Sequence, residues 1–178
     1  MLARKNKETI KMAEDDSVVG IGEICVAHNP KCLNALGLGS CVAVALYDKE
    51  NHIGGLAHVM LPSSKEYSGK IEKDRTLDKL SKYADVAIPE TISKMERIGA
   101  KKQNIRAKIS GGAQMFPGLS NDLMNIGARN IESVKRTLKE SCIPLDAEDV
   151  GGNCGRSIRF DIADQKLKIK TINGEKEI

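Results

Sequence analysis

Two short valine-rich runs separated by a polar turn constrain this chain more than any other feature. Cys41 to Tyr47 is bounded by glycine before and Asp48 after, and Ile53 to Leu61 has the same apolar character, so both read as strands. Asp48-Lys49-Glu50-Asn51-His52 between them reads as a hairpin turn. If the turn closes symmetrically, residues whose numbers add to about 99 or 100 face each other, and Cys41 with His58 adds to 99. Directly opposite side chains in such a pair lie with Cβ atoms roughly 5 Å apart, which lets a thiol meet an imidazole. Cysteine and histidine in that relation suit nucleophilic catalysis, with the imidazole as base and then acid. A slip of one residue, for which Gly54-Gly55 offers a bulge site, would put the two groups on opposite faces.

With 178 residues the chain suits one domain with one core. Two Phe, three Tyr and no Trp leave that core to aliphatic residues and Met. Five cysteines without a repeated close spacing do not make a disulfide framework and suit a reducing compartment, so the expected location is cytoplasmic. The 28 basic and 24 acidic residues are interspersed, without a basic block and almost without aromatics, which argues against a nucleic-acid partner. No apolar run reaches the ~20 residues of a membrane span. Residues 1–17 are charged and poor in apolar groups and read as a flexible leader, with the folded domain over 18–178.

Onward, Val18 to Ala27 predicts a first strand ended by Asn29-Pro30. Leu77, Leu80, Ala84, Ile88, Ile92 and Met95 predict a helix from Asp74 to a Gly99 cap, kinked or divided at Pro89. Ile105 to Ser110 reads as a strand, Gly111 to Leu123 as a loop, and Ile126 to Ser141 as a helix N-capped by Asn125 with Ile131, Val134 and Leu138 on its apolar side. Strands follow at Leu145 to Val150, Arg156 to Ile162 and Lys166 to Ile172, giving a single α+β layered domain. Cys25, His28 and Cys32 lack an evident fourth ligand, so no metal and no cofactor are expected.

Six blocks in order then resemble one family. Leu36 to Cys41, Leu56 to Pro62, Lys82 to Pro89, Ser110 to Phe116, Ile126 to Asn130, and Ile143-Pro144 with Asp149 to Arg156 are similar to the successive signatures of CheD, the chemoreceptor glutamine deamidases of chemotaxis. The resemblance spans about residues 18 to 172. It implies a three-layer α/β/β sandwich with a catalytic arrangement like that of the cytotoxic necrotising factor toxins. It implies Cys41 as nucleophile, His58 as base and acid, and glutamines on the cytoplasmic domains of chemoreceptors as substrate. It also implies a second partner, the phosphatase CheC, and hence an alternative role as a CheC-binding adaptor; methyl-ester hydrolysis by the same nucleophile would need no new residues. The family pattern has a threonine six residues before the nucleophile, where this chain has Ala35. The expected substitutes for its hydroxyl are the Ala35 main-chain carbonyl, with Asn34 and Ser40 as side-chain candidates. The glycine-flanked turn before Cys41 is expected to aim main-chain N–H groups at an oxyanion.

Overall fold

The structure, a computed structural model, describes residues 16–67, 80–114 and 125–178. Its centre is the hairpin of β4 (Val42–Asp48) and β5 (Ile53–Val59), in which every residue is buried. Burial on both faces requires a layer on each side, and the alternation of side chains shows which. Val42, Val44, Leu46, Ile53, Ala57 and Val59 pack into one core with the helices, while Ala43, Ala45, Tyr47 and Leu56 pack into a second core against another sheet.

The hairpin sheet has the order β2-β5-β4-β6-β7, adding β2 (Ile24–His28), β6 (Ile105–Gly111) and β7 (Leu145–Val150). The facing sheet has the order β1-β3-β8-β9-β10: β1 (Asp16–Val18), β3 (Cys32–Leu38), β8 (Arg156–Asp161), β9 (Leu167–Thr171) and β10 (Gly174–Glu177). Helices α1 (Ala84–Arg97) and α2 (Ile126–Glu140) cover the outer face of the hairpin sheet. The result is the expected α+β fold in three layers, α/β/β. Among the described residues no helix is long and apolar enough to cross a membrane.

Several expectations change. The strand expected over Val18 to Ala27 is two strands in different sheets, because Gly20 and Gly22 break it. Gly22 has φ +71°, and the Gly20 N–H donates to the Glu23 carboxylate, closing a turn that carries the chain from one sheet to the other. Strand β3 was not anticipated at all. Its polar and glycine residues, Asn34 and Gly37, hide the pattern, and its ladder with β8 is irregular between Ala35 and Leu38. The helix begins at Ala84 rather than Asp74; Leu80–Lys82 is a single 3-10 turn, and Asp74 and Leu77 lie outside the described residues. Pro89 does not divide it, and α1 runs continuously from Ala84 to Arg97. Asn125 occupies the N-cap position of α2 without a side-chain capping bond. Of the expected leader, Asp16 and Ser17 belong to β1, and the remainder lies outside the described residues.

Gly54 and Gly55 serve close packing rather than a bulge. A Cβ at Gly54 would sit 2.9 Å from Phe160 of the facing sheet and 2.7 Å from Ile162 just past the end of β8, and one at Gly55 2.8 Å from Thr91 of α1, so the hairpin approaches both layers only without side chains there. The β4–β5 ladder is correspondingly regular.

Candidate functional site

Observed register differs from the symmetrical expectation by two residues. Asp48 pairs with Ile53, and its carboxylate accepts the Asn51 N–H at 3.1 Å, which makes Lys49 to His52 a four-residue loop and sets partners whose numbers add to 101. His58 therefore faces Ala43, not Cys41. A two-residue shift preserves the face, so Cys41, packed in the same inter-sheet core as Ala43, is the diagonal neighbour of His58, about 7–8 Å away along such a lattice.

Three of the four places where the described chain crosses between the sheets, residues 19–23, 39–41 and 151–155, build the site. The first brings the Val19 carbonyl to within 3.1 Å of His58 Nδ1. A carbonyl only accepts, so Nδ1 carries the proton and Nε2 is left as the basic nitrogen. Nε2 is buried and has no hydrogen-bond partner, and His58 as a whole is 2 % exposed. Val19 is held in turn by its N–H, which donates to the Asn34 carbonyl at 2.8 Å. The main-chain carbonyl that engages the imidazole is thus that of Val19 rather than Ala35, whose methyl group is buried in the inter-sheet core.

The second crossing carries the cysteine. The Cys41 carbonyl accepts the Gly112 N–H at 2.7 Å and the Gly39 carbonyl accepts the Ala113 N–H at 2.8 Å, so the extension of β6 clamps this turn. Ser40 is engaged through its carbonyl, which accepts a bond from Asn130 of α2. In the third crossing Arg156 donates to the main chain and carboxylate of Asp149 and to the Gly151 carbonyl. This fixes the glycine turn whose Gly151 N–H bonds Gly111 and whose Gly152 carbonyl accepts the Gln114 N–H.

Burial sets the electrostatics. It pushes the Cys41 thiol above its ordinary value of 9.0, opposed by the residue's own main-chain N–H. It also pushes His58 below 6.5, opposed by the Val19 carbonyl and the Glu23 carboxylate. At neutral pH the resting pair is accordingly thiol and imidazole, not thiolate and imidazolium. A depressed histidine stays basic to lower pH, so the acid limb of kcat/KM is expected to have its midpoint below 6.5. Titration of the His58 ring protons by NMR in the Cys41→Ala protein should give a midpoint on the same side; a value at or above 6.5 contradicts it. The sign for folding is the same. The unfolded chain binds the proton first, so stability conferred by neutral His58 is present above 6.5 and falls as the pH drops from there toward the folded-state value.

Among the described residues no group of three or more His, Cys, Asp or Glu side chains is placed to hold a metal. Cys25 and Cys32 lie in different sheets and His28 is exposed. His52 and Cys142 are exposed and apart from the site.

Comparison with known proteins gives the same direction. A family model described as CheD chemotactic sensory transduction matches residues 60–171. The "Chemoreceptor glutamine deamidase CheD" of Halalkalibacterium halodurans is 48% identical over 162 residues, covering 90% of this chain and 96% of that protein. The chain belongs to the CheD family. A second member, the "Probable chemoreceptor glutamine deamidase CheD" of Clostridium botulinum strain Hall, is 48% identical with the same coverage. Among solved structures, the Bacillus licheniformis hypothetical protein YfiH has a TM-score of 0.44 and 16% identity over 72% of this chain and 51% of its own. Val19 and Asn130 were the contributors that sequence reasoning missed. The readable signal for Asn130 was a polar residue four positions before Val134 on the buried face of α2.

Proposed function

We propose that this protein is a chemoreceptor glutamine deamidase acting through Cys41 and His58. The observation that carries the reading is the buried imidazole with Nδ1 on the Val19 carbonyl and a free Nε2 on the face it shares with Cys41. The names of its relatives support the activity.

As the Cys41 thiol attacks Cδ of a substrate glutamine, its proton passes to His58 Nε2 and the carboxamide oxygen becomes an oxyanion. The Cys41 N–H, carried by the nucleophile's own residue, is the main-chain donor we assign to the oxygen that develops beside the sulfur. His58 then protonates the departing nitrogen, ammonia leaves, and a thioester remains. Water, losing a proton to Nε2, attacks the thioester; collapse expels the thiolate, which regains its proton, and the product is glutamate. Substrates are glutamines on the cytoplasmic domains of chemoreceptors, and CheC is the further partner we assign.

The Val19 carbonyl supports this enzymatic reading over a purely adaptor role, since the missing hydroxyl at position 35 has a substitute for orienting the ring. Ala35→Thr is accordingly expected to change the deamidation rate by less than about tenfold; a larger gain would mean that the carbonyl is not enough. The deciding experiment is intact-mass spectrometry of a glutamine-bearing receptor cytoplasmic fragment. Hydrolysis of the thioester adds about one mass unit per site, expected with the wild-type chain and absent with Cys41→Ala. No shift on a folded receptor fragment overturns the reading.

A further inference from the structure

We propose that Asn130, on the face of α2 turned to the sheet, is a positioning residue that aims the oxyanion-binding N–H of Cys41, an inference that rests on the function above. Asn130 is 0 % exposed, and its Nδ2 donates to the Ser40 carbonyl at 2.9 Å and to the Met60 carbonyl at 2.8 Å. These two carbonyls lie where the hairpin ends. The β4–β5 ladder stops at Val42 with Val59, and the next residues out in the same register are Cys41 and Met60. A single side-chain amide therefore ties the two chains together just past their last ladder pair, with both of its N–H groups committed.

The consequence follows from peptide planarity. The carbonyl of Ser40 and the N–H of Cys41 belong to one rigid plane and point in opposite directions, so fixing the carbonyl on Asn130 fixes the N–H on the far side. That N–H belongs to the residue that carries the sulfur, so its direction is set relative to the site of attack by the Ser40 peptide plane. The following peptide is pinned as well, since the Cys41 carbonyl accepts the Gly112 N–H, and Gly112 abuts Gly127 in the first turn of α2. Helix α2 thus braces the nucleophile's main chain on both sides. Anchoring of the helix does not itself require the amide, because Ser133 one turn on donates to the Pro62 carbonyl at 2.5 Å. Asn130 Oδ1 is buried with no hydrogen-bond partner, a cost that a residue serving packing alone would avoid.

The test separates oxyanion stabilisation from thiol reactivity. Deamidation of the receptor fragment passes through an oxyanion; alkylation of Cys41 by iodoacetamide, followed by peptide mass spectrometry, displaces iodide and forms none. For Asn130→Ala and for Asn130→Asp, which removes both donors at nearly constant shape, kcat is expected to fall about 10²-fold while KM and the Cys41 alkylation rate stay within about threefold. Ser133→Ala, which loosens the helix without touching the Ser40 peptide, should leave all three within about threefold. Three results overturn the proposal: kcat preserved in a folded Asn130 variant, alkylation falling in parallel with kcat, or failure of both Asn130 variants to fold when Ser133→Ala folds. An inactive wild-type chain instead overturns the functional reading, and is distinguishable because no variant comparison is then needed.

Discussion

His58→Ala is expected to lower the rate of receptor-glutamine deamidation by about 10²- to 10⁴-fold, the range that a positioned acid and base supplies. The size of the effect follows from the electrostatics. With the Cys41 thiol pushed above 9.0, little thiolate exists at neutral pH, so the imidazole does not merely assist an already ionised nucleophile but must take its proton during attack. In the proposed mechanism the same nitrogen later protonates the departing amide nitrogen, so that ammonia leaves instead of the far poorer leaving group, the amide ion. Two readouts check the assignment. Residual activity of His58→Ala should rise with pH toward the thiol's own ionisation, because hydroxide then replaces the lost base. Ammonia release from the wild-type chain should show no such rise once His58 is neutral. A variant retaining more than about a tenth of wild-type activity at neutral pH would remove His58 from the mechanism.

The largest structural effect is expected at Gly111. Its φ of +126° lies where side chains are strained, and a Cβ added there would sit 2.2 Å from the Cys41 carbonyl oxygen and 3.0 Å from Val42 Cα. Both are main-chain atoms at the start of β4, Cys41 standing just before it, so no side-chain rotation relieves the contact. Gly111→Ala should therefore cost about 3 kcal/mol or more, combining backbone strain with displacement of a buried strand. In a chain of this size that is a fall in Tm of roughly 10 °C, read by thermal unfolding. Activity should fall further than stability accounts for, because the displaced atom is the Cys41 carbonyl that Gly112 holds. Gly151→Ala is the control: its φ is +76° but an added Cβ meets nothing within 4 Å, so it should cost only the strain, about 1–3 kcal/mol.

How far the site could be read without coordinates differs residue by residue. Cys41 and His58 were legible as a pair on one face, because strand alternation depends only on parity, and an error of two in register leaves parity intact. Their separation was not legible, since the loop length hinged on Asp48 joining the ladder rather than the turn. Gly54-Gly55 looked like a bulge signal and is instead a contact surface for two layers, a distinction that only the position of Ile162 and Thr91 makes. Pro89 read as a helix breaker, yet α1 is continuous; packing of Ala87, Ile88, Ile92 and Met95 on the sheet outweighs the lost hydrogen bond.

From its residues alone the chain determined a central hairpin, two amphipathic helices, an α+β class and a cysteine and a histidine on one face of that hairpin. Each of these depends on local periodicity or on residue chemistry, which act over a few positions. The tertiary structure alone decided that the first strand splits between two sheets and that Val19, 39 residues from His58, supplies the carbonyl for its ring. It alone decided that Asn130, 90 residues from Ser40, holds the peptide before Cys41. Main-chain carbonyls are the same in every residue, and a polar residue on a helix's buried face does not itself say which groups it bonds. Their roles arise only where three sheet-crossing turns and one helix converge, and no local signal encodes that convergence.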